Sequence, residues 1–328
     1  MLVLCYKSYI EIHVDEGETM SEIRKLTCSD GHTLCYRVWS PSKGVQVKAV
    51  LHILHGMAEY SERYDKFAQF LVNHDIAVYC QDHRGHGLTA QENNDQLGFL
   101  AEKDGWQRIA ADSFELDNVI TNDYPKLSLF LMGHSMGSFL ARTVMVQHPD
   151  LFSGVIIMGS GSSKGLVGRI GRMLAVHSVK KHGLHYVDEK IDKMSFGSYN
   201  SRIPDCATSF DWLSRDPVEV QKYIKDPLCG FKCPAIFFVD LLDGIEYANN
   251  PKNVLSIPKD LPLLIINGTM DPVGDYGKGA RKVYDLYKDA GISDVHLSLV
   301  QEARHELLNE TNRKSTCAYL LKWITDRI

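Results

Sequence analysis

A serine between two glycines, in Gly133-His134-Ser135-Met136-Gly137, follows the apolar run over residues 127–132 and precedes a helical stretch over residues 138–147. A strand, a G-x-S-x-G turn and a helix in that order make a nucleophile elbow, which lifts the hydroxyl above a sheet edge. The turn is too tight for bulky neighbours, so glycine on both flanks is what its backbone needs. The same pentapeptide also occurs as an idle glycine-rich turn. Acyl transfer by Ser135 requires a base for its proton and a carboxylate to hold that base in the right tautomer.

Both follow downstream. Residues 262–268 read as a strand running into a turn, with Asp271 at its exit. Residues 295–300 read as a last strand, and His305 comes five residues later. Ser135, Asp271 and His305 are therefore the expected catalytic residues, in the order serine, acid, histidine. Asp271 before Pro272 is also an ordinary turn former, and Asp243 beside Gly244 is the fallback acid. Of the fourteen histidines, His296 alternates with apolar neighbours and reads as packed. His134 adjoins the nucleophile, and the elbow should turn its ring away from the Ser135 hydroxyl. An oxyanion hole needs two N–H donors. Met136, just after the nucleophile, is one, and Met57, after His55-Gly56, is the other; losing one such donor typically costs ~3 kcal/mol of transition-state stabilisation.

The elements that must position these groups alternate between strand and helix. Residues 24–29 and 33–39 read as a hairpin around Asp30-Gly31. Strands are expected at 48–54, 76–80, 127–132, 154–158, 263–266 and 295–300, and helices at 60–73, 106–121 and after the elbow. This alternation implies α/β architecture, a mostly parallel central sheet with helices on both faces. Between Gly159 and Leu261 the pattern changes. Leu166, Ile170, Met173 and Leu174 mark an amphipathic helix, Asp216-Pro217 starts another, and residues 235–239 resemble one short strand.

The 328 residues are 44% hydrophobic and 23% charged, with net charge −5, so no basic field invites nucleic acid. Eight cysteines without C-x-x-C spacing fit reduced thiols in a cytoplasmic protein. No apolar run approaches the roughly 20 residues that span a bilayer. Residues 1–21 are expected to be an N-terminal extension, and Met20 makes a more natural start than Met1. Gln81-Asp82-His83-Arg84-Gly85-His86-Gly87 looks metal-like, but reads as a tight loop whose charged groups brace one another. No metal or cofactor is expected.

Several segments together resemble the monoacylglycerol lipase and lysophospholipase branch of the α/β-hydrolases, also called serine aminopeptidase-like. They are residues 55–64, residues 82–87, the elbow, Ser214 to Val220 with Tyr223 and Asp226-Pro227-Leu228, Asp271-Pro272-Val273, and Arg304-His305-Glu306. Tyr60 departs from the histidine frequent in the family, and Asn267-Gly268-Thr269-Met270 replaces a more charged approach to the acid. The resemblance implies an α/β-hydrolase core over residues 22–160 and 260–328, and an inserted helical cap with its connecting segment over 161–259. It implies a cap covering an acyl tunnel, the triad Ser135, Asp271 and His305, and oxyanion donors Met57 and Met136. The expected substrates are single-chain lipid esters, monoacylglycerols or lysophospholipids. An aminopeptidase or amidase, or a non-catalytic binding protein on the same fold, is the alternative. Lys164, Arg169, Arg172, Lys180 and Lys181 offer a transient membrane-surface contact, weighed below a solvated helix face.

Overall fold

The computed structural model describes residues 21–328. All but the last residue of the N-terminal extension expected over residues 1–21 lies outside the described residues.

In chain order the elements are β1 (Glu22–Thr27), β2 (Thr33–Trp39), β3 (Ala49–Leu54), α1 (Asp65–Val72), β4 (Ile76–Gln81), α2 (Gly87–Asn93), α3 (Gly105–Asp123), β5 (Ser128–His134), α4 (Met136–Gln147) and β6 (Gly154–Met158). They continue with α5 (Gly165–His182), α6 (Glu189–Phe196), α7 (Pro217–Lys225), α8 (Ala235–Ala248), α9 (Pro251–Val254), β7 (Leu263–Gly268), α10 (Lys278–Asp289), β8 (Val295–Val300) and α11 (Arg313–Thr325).

One eight-stranded sheet runs β1-β2-β4-β3-β5-β6-β7-β8. The β1–β2 hairpin and the β2–β4 pair are antiparallel, and every later pair is parallel. Gly31 in the hairpin turn has φ +86°, a conformation open to glycine at no steric cost. The parallel strands are apolar on both faces because helices cover both. Leu129 and Leu131 of β5 enter a core with α3, α4, α8 and α10; Phe130 and Met132 enter the opposite core with α1 and α11. Each such Leu or Phe contributes ~1.5–3 kcal/mol through burial.

Five helices, α5 to α9, lie between β6 and β7. One expectation fails here, and one helix faces a way its sequence does not reveal. Residues 235–239 are not a strand but the first turns of α8. Its buried Ala235, Phe238, Gly244, Ile245 and Ala248 follow helical spacing, which a five-residue apolar window cannot distinguish from a strand. The stripe Leu166, Ile170, Met173 and Leu174 is helical, but it faces outward: all four are exposed, as is Val167. Helix α5 instead buries Gly168, Ala175 and Ser178, small residues that let it lie close to Leu242 of α8. Helix α7 starts as its sequence indicates, with Asp216 accepting from Val218 N–H and Pro217 in the first turn.

The seven cysteines among the described residues are free thiols. No helix among those residues is long and apolar enough to cross a membrane.

Candidate active site

Ser135 sits between the end of β5 and the start of α4 with φ 55° and ψ −119°, a strained conformation for a residue with a side chain. The turn closes because its flanking glycines have no side chain. A Cβ on Gly133 would lie 2.0 Å from Gly137 O, and one on Gly137 would lie 2.0 Å from Leu54 O. Ser135 N–H donates to Met158 O at 3.0 Å, which fixes the elbow to β6. Ser135 is half-buried, whereas Asp271 and His305 are buried.

Asp271 leaves the end of β7 and His305 follows β8, so two adjacent parallel strands deliver them to one place. His305 Nδ1–H donates to Asp271 Oδ1 at 2.9 Å. The same oxygen accepts Val273 N–H at 2.9 Å, and Oδ2 accepts Asn267 Nδ2 at 3.2 Å. With its proton on Nδ1, the ring keeps the Nε2 lone pair for a base. That Nε2 is buried and has no hydrogen-bond partner, so the structure brings Asp271 and His305 together without a bond from His305 to Ser135. Such contacts are often long in unliganded enzymes and tighten on substrate binding. Loop 304–306 is held from outside the sheet: His305 N–H donates to Trp212 O and Glu306 N–H to Leu213 O. Arg304 reaches the carbonyls of Asp211 and Ser214, and the Trp212 ring lies 5.1 Å from that of His305.

The two expected oxyanion donors occupy suitable backbone. Met136 is the first residue of α4, where N–H groups have no intrahelical acceptor. Met57 follows Gly56, whose added Cβ would stand 3.2 Å from Ser135 Cβ and only 2.6 Å from Glu59 Oε1. The Gly56–Met57 peptide is held by His55, whose Nδ1–H donates to Gly56 O at 2.7 Å while Nε2 accepts His83 N–H at 2.9 Å. One nitrogen donates and the other accepts, so His55 is neutral. Burial, which lowers its pKa, favours the same form.

Sequence reasoning missed Glu59 and the role of His134. Glu59 Oε1 accepts Gly56 N–H at 2.6 Å, Tyr64 OH at 2.9 Å and His134 Nδ1–H at 3.0 Å. The hydrogen-bond partners of the His134 ring are Glu59 and, from Nε2 at 3.4 Å, His305 O. Both ring nitrogens face oxygens, which calls for a proton on each. Burial opposes that charge, but the Glu59 carboxylate outweighs it and raises the His134 pKa. Burial likewise pushes Glu59 upward, and His134 with Arg63 holds it well below the usual carboxylate range. The one available signal was Glu59 itself, an acid three residues after the His55-Gly56 pair and four before Arg63.

Other candidates fall elsewhere. Asp243, the fallback acid, is exposed on α8 and forms a bidentate pair with Arg172 of α5 at 2.5 and 2.8 Å. His296, expected to be packed, is exposed on β8, the edge strand of the sheet, and lies 2.8 Å from Asp294. In loop 81–87, Asp82 accepts Ser61 N–H and Leu88 N–H at 2.7 Å each, and Arg84 pairs with Asp112 and Asp30. Tyr60 donates to Asp226 at 3.0 Å, joining the segment after Met57 to the end of α7.

The profile of the serine aminopeptidase, S33 family matches residues 45–312. The chain is 28% identical over 310 residues to a monoglyceride lipase of Rattus norvegicus, covering 94% of this chain and 91% of that protein. It is 27% identical over 302 residues to a monoacylglycerol lipase of Mycolicibacterium smegmatis, covering 91% and 95% respectively. Among solved structures, a thermostable carboxyl esterase from Bacillus coagulans superposes with TM-score 0.85 at 24% identity, covering 94% of this chain and 98% of that one. A soluble variant of monoglyceride lipase from Saccharomyces cerevisiae gives TM-score 0.74 at 20% identity, covering 96% and 98%. The shared architecture is the α/β-hydrolase fold.

Proposed function

The chain belongs to the serine aminopeptidase, S33 family of hydrolases, and on that premise we propose that it is a serine carboxyl-ester hydrolase acting on single-chain lipid esters. Its substrates in this reading are monoacylglycerols or lysophospholipids. The observation that carries the reading is the buried Asp271–His305 pair with its free Nε2, in contact through His305 with His134, the residue before a serine in a strained elbow.

In the reaction His305 Nε2 takes the Ser135 proton as the hydroxyl oxygen attacks the ester carbonyl. Asp271 holds the imidazole and stabilises its positive charge. Met57 N–H and Met136 N–H receive the negative oxygen of the tetrahedral intermediate. The C–O bond to the alcohol then breaks, and the alcohol leaves with the proton from His305. Water, deprotonated by His305, attacks the acyl-serine and releases the fatty acid and the free hydroxyl.

The relatives named monoglyceride lipase support a glycerol ester, and Phospholipase YtpA of Bacillus subtilis, 26% identical over 231 residues, supports a phospholipid ester. No acidic site for a free amino terminus stands out in the sequence, which favours ester over peptide. Exposed Leu166, Val167, Ile170, Met173 and Leu174, next to Arg169, Lys180 and Lys181, support transient contact of α5 with a membrane surface. The free thiols support a cytoplasmic location.

Fluorophosphonate labelling of wild type and Ser135→Ala, paired with hydrolysis of a lipid extract and of matched ester and amide substrates, tests the reading. Label and lipid-ester turnover confined to wild type uphold it. An unlabelled wild-type protein favours the binding protein, and faster amide turnover favours the peptidase.

A further inference from the structure

Glu59 takes no part in the proton transfers above, yet its carboxylate is buried and receives four donors. Gly56 N–H, Tyr64 OH and His134 Nδ1–H converge on Oε1, and Arg63 Nε donates to Oε2 at 3.1 Å. Two of these partners belong to separate parts of the site. Gly56 begins the peptide that carries the Met57 N–H, and His134 precedes Ser135. The network then extends to the third part, because His134 Nε2 reaches His305 O and Arg63 Nη2 donates to Glu306 Oε2 at 2.5 Å. Asn309 holds Glu306 in turn, at 3.0 Å.

We propose that Glu59 is a positioning residue for the hydrolysis, one carboxylate that sets the oxyanion turn, the nucleophile strand and the histidine loop relative to one another. The proposal rests on the reading of Ser135, His305 and Met57 as the reacting groups. Its physical basis is that three chain segments share one buried acceptor. Removing that acceptor leaves the Gly56 N–H, the Tyr64 hydroxyl and a doubly donating His134 uncompensated in the interior. The turn at Gly56 then keeps only the His55 bond at the Gly56 carbonyl, and the His134–His305 link loses the charge that holds it. Small displacements at such groups cost rate out of proportion to their size.

Glu59→Ala, Glu59→Gln and wild type are compared with 4-nitrophenyl butyrate for kcat and KM, with a fluorophosphonate for the labelling rate, and by thermal melting. Expected is a kcat at least ~30-fold lower in Glu59→Ala, with KM within about threefold and the labelling rate falling in parallel, a size typical of a disturbed oxyanion site. Glu59→Gln, whose amide oxygen still accepts Gly56 N–H, recovers at least about tenfold over alanine. A folded Glu59→Ala with a smaller loss, or one whose loss lies in KM, overturns the proposal. If the alanine variant does not fold, His134→Gln replaces it: kcat at least about tenfold lower at unchanged KM supports the proposal, and a smaller fall overturns it. A wild-type protein that neither hydrolyses esters nor takes the label overturns the underlying reading instead, before any variant is compared.

Discussion

His134 and His305 face one another with ring centroids 4.7 Å apart, and His134 Nε2 reaches the main-chain oxygen of His305. The residue before the nucleophile thus touches the residue proposed as its base, although Ser135 and His305 share no hydrogen bond. The two rings carry different protons. His305 donates from Nδ1 alone, to a carboxylate, while His134 is placed to donate from both nitrogens.

Replacing Asp271 tests the tautomer argument. In Asp271→Asn an amide stands where a carboxylate accepted His305 Nδ1–H and Val273 N–H. The ring then favours the proton on Nε2, where it cannot act as a base. A fall in kcat of ~10⁴ with a nearly unchanged melting temperature is expected from the analogous change in other serine hydrolases. Steady-state turnover of a nitrophenyl ester measures it, and a loss below tenfold would remove Asp271 from the set.

Gly268 tests how tightly the histidine loop is held. An added Cβ would stand 2.1 Å from Ala303 O and 2.3 Å from Arg304 O, both main-chain atoms. Gly268→Ala must push that loop away, and a shift of the order of 1 Å at His305 costs ~10² in rate. Kinetics combined with near-ultraviolet circular dichroism separates this displacement from unfolding. Full activity in a folded variant contradicts it.

Asp240 of α8 makes stability depend on pH. Burial, with the nearby Asp243 and Asp104 charges, raises its pKa from 3.8 to about 7, against backbone donors at Gly105 and Trp106. The folded protein therefore holds a proton that the unfolded chain releases above its ordinary pKa. The stability tied to this group is full below about pH 4 and is lost as pH rises towards 7. Asp240→Asn, neutral throughout, is expected to melt at least roughly 3 °C above wild type at pH 8. Near pH 4 the two should melt together. An equal difference at both pH values excludes a titration origin.

The outward stripe on α5 is tested on vesicles. Val167→Asp combined with Met173→Asp should lower co-sedimentation with anionic vesicles by at least about tenfold, since each buried methylene is worth ~0.8 kcal/mol. Turnover of a water-soluble ester should change less than about threefold. Unaltered vesicle binding argues for a solvated helix face.

The strands and their order of use were legible because a buried parallel strand is a short apolar run between turn signals, as at residues 154–158 and 263–266. The elbow was legible because the glycines that its tight turn needs flank the serine within one pentapeptide, although the contact that forces Gly137 is with Leu54 O, far along the chain. Helix α8 was not, because its first five residues are apolar on every side. The outward face of α5 was hidden for a related reason: periodicity reveals a stripe but not which side meets the core. The Glu59 network was illegible because, beyond the nearby Gly56, Arg63 and Tyr64, it reaches His134, 75 residues away, and through Arg63 it reaches Glu306. Expecting His296 to be packed failed because no local pattern distinguishes an edge strand from a central one.

Four hydrogen bonds, two from main-chain N–H groups and two from the Arg304 side chain, tie residues 304–306 to the carbonyls of residues 211–214 and separate the origins of the two halves of the proposed chemistry. The hydroxyl is presented by the sheet, but the imidazole depends on a stretch of chain inserted between β6 and β7. Exchanging that stretch for another, to retune which esters are accepted, therefore has to reproduce the same four carbonyl positions first. A graft that ignores them leaves Ser135 in place without the positioned His305 that we propose as its base.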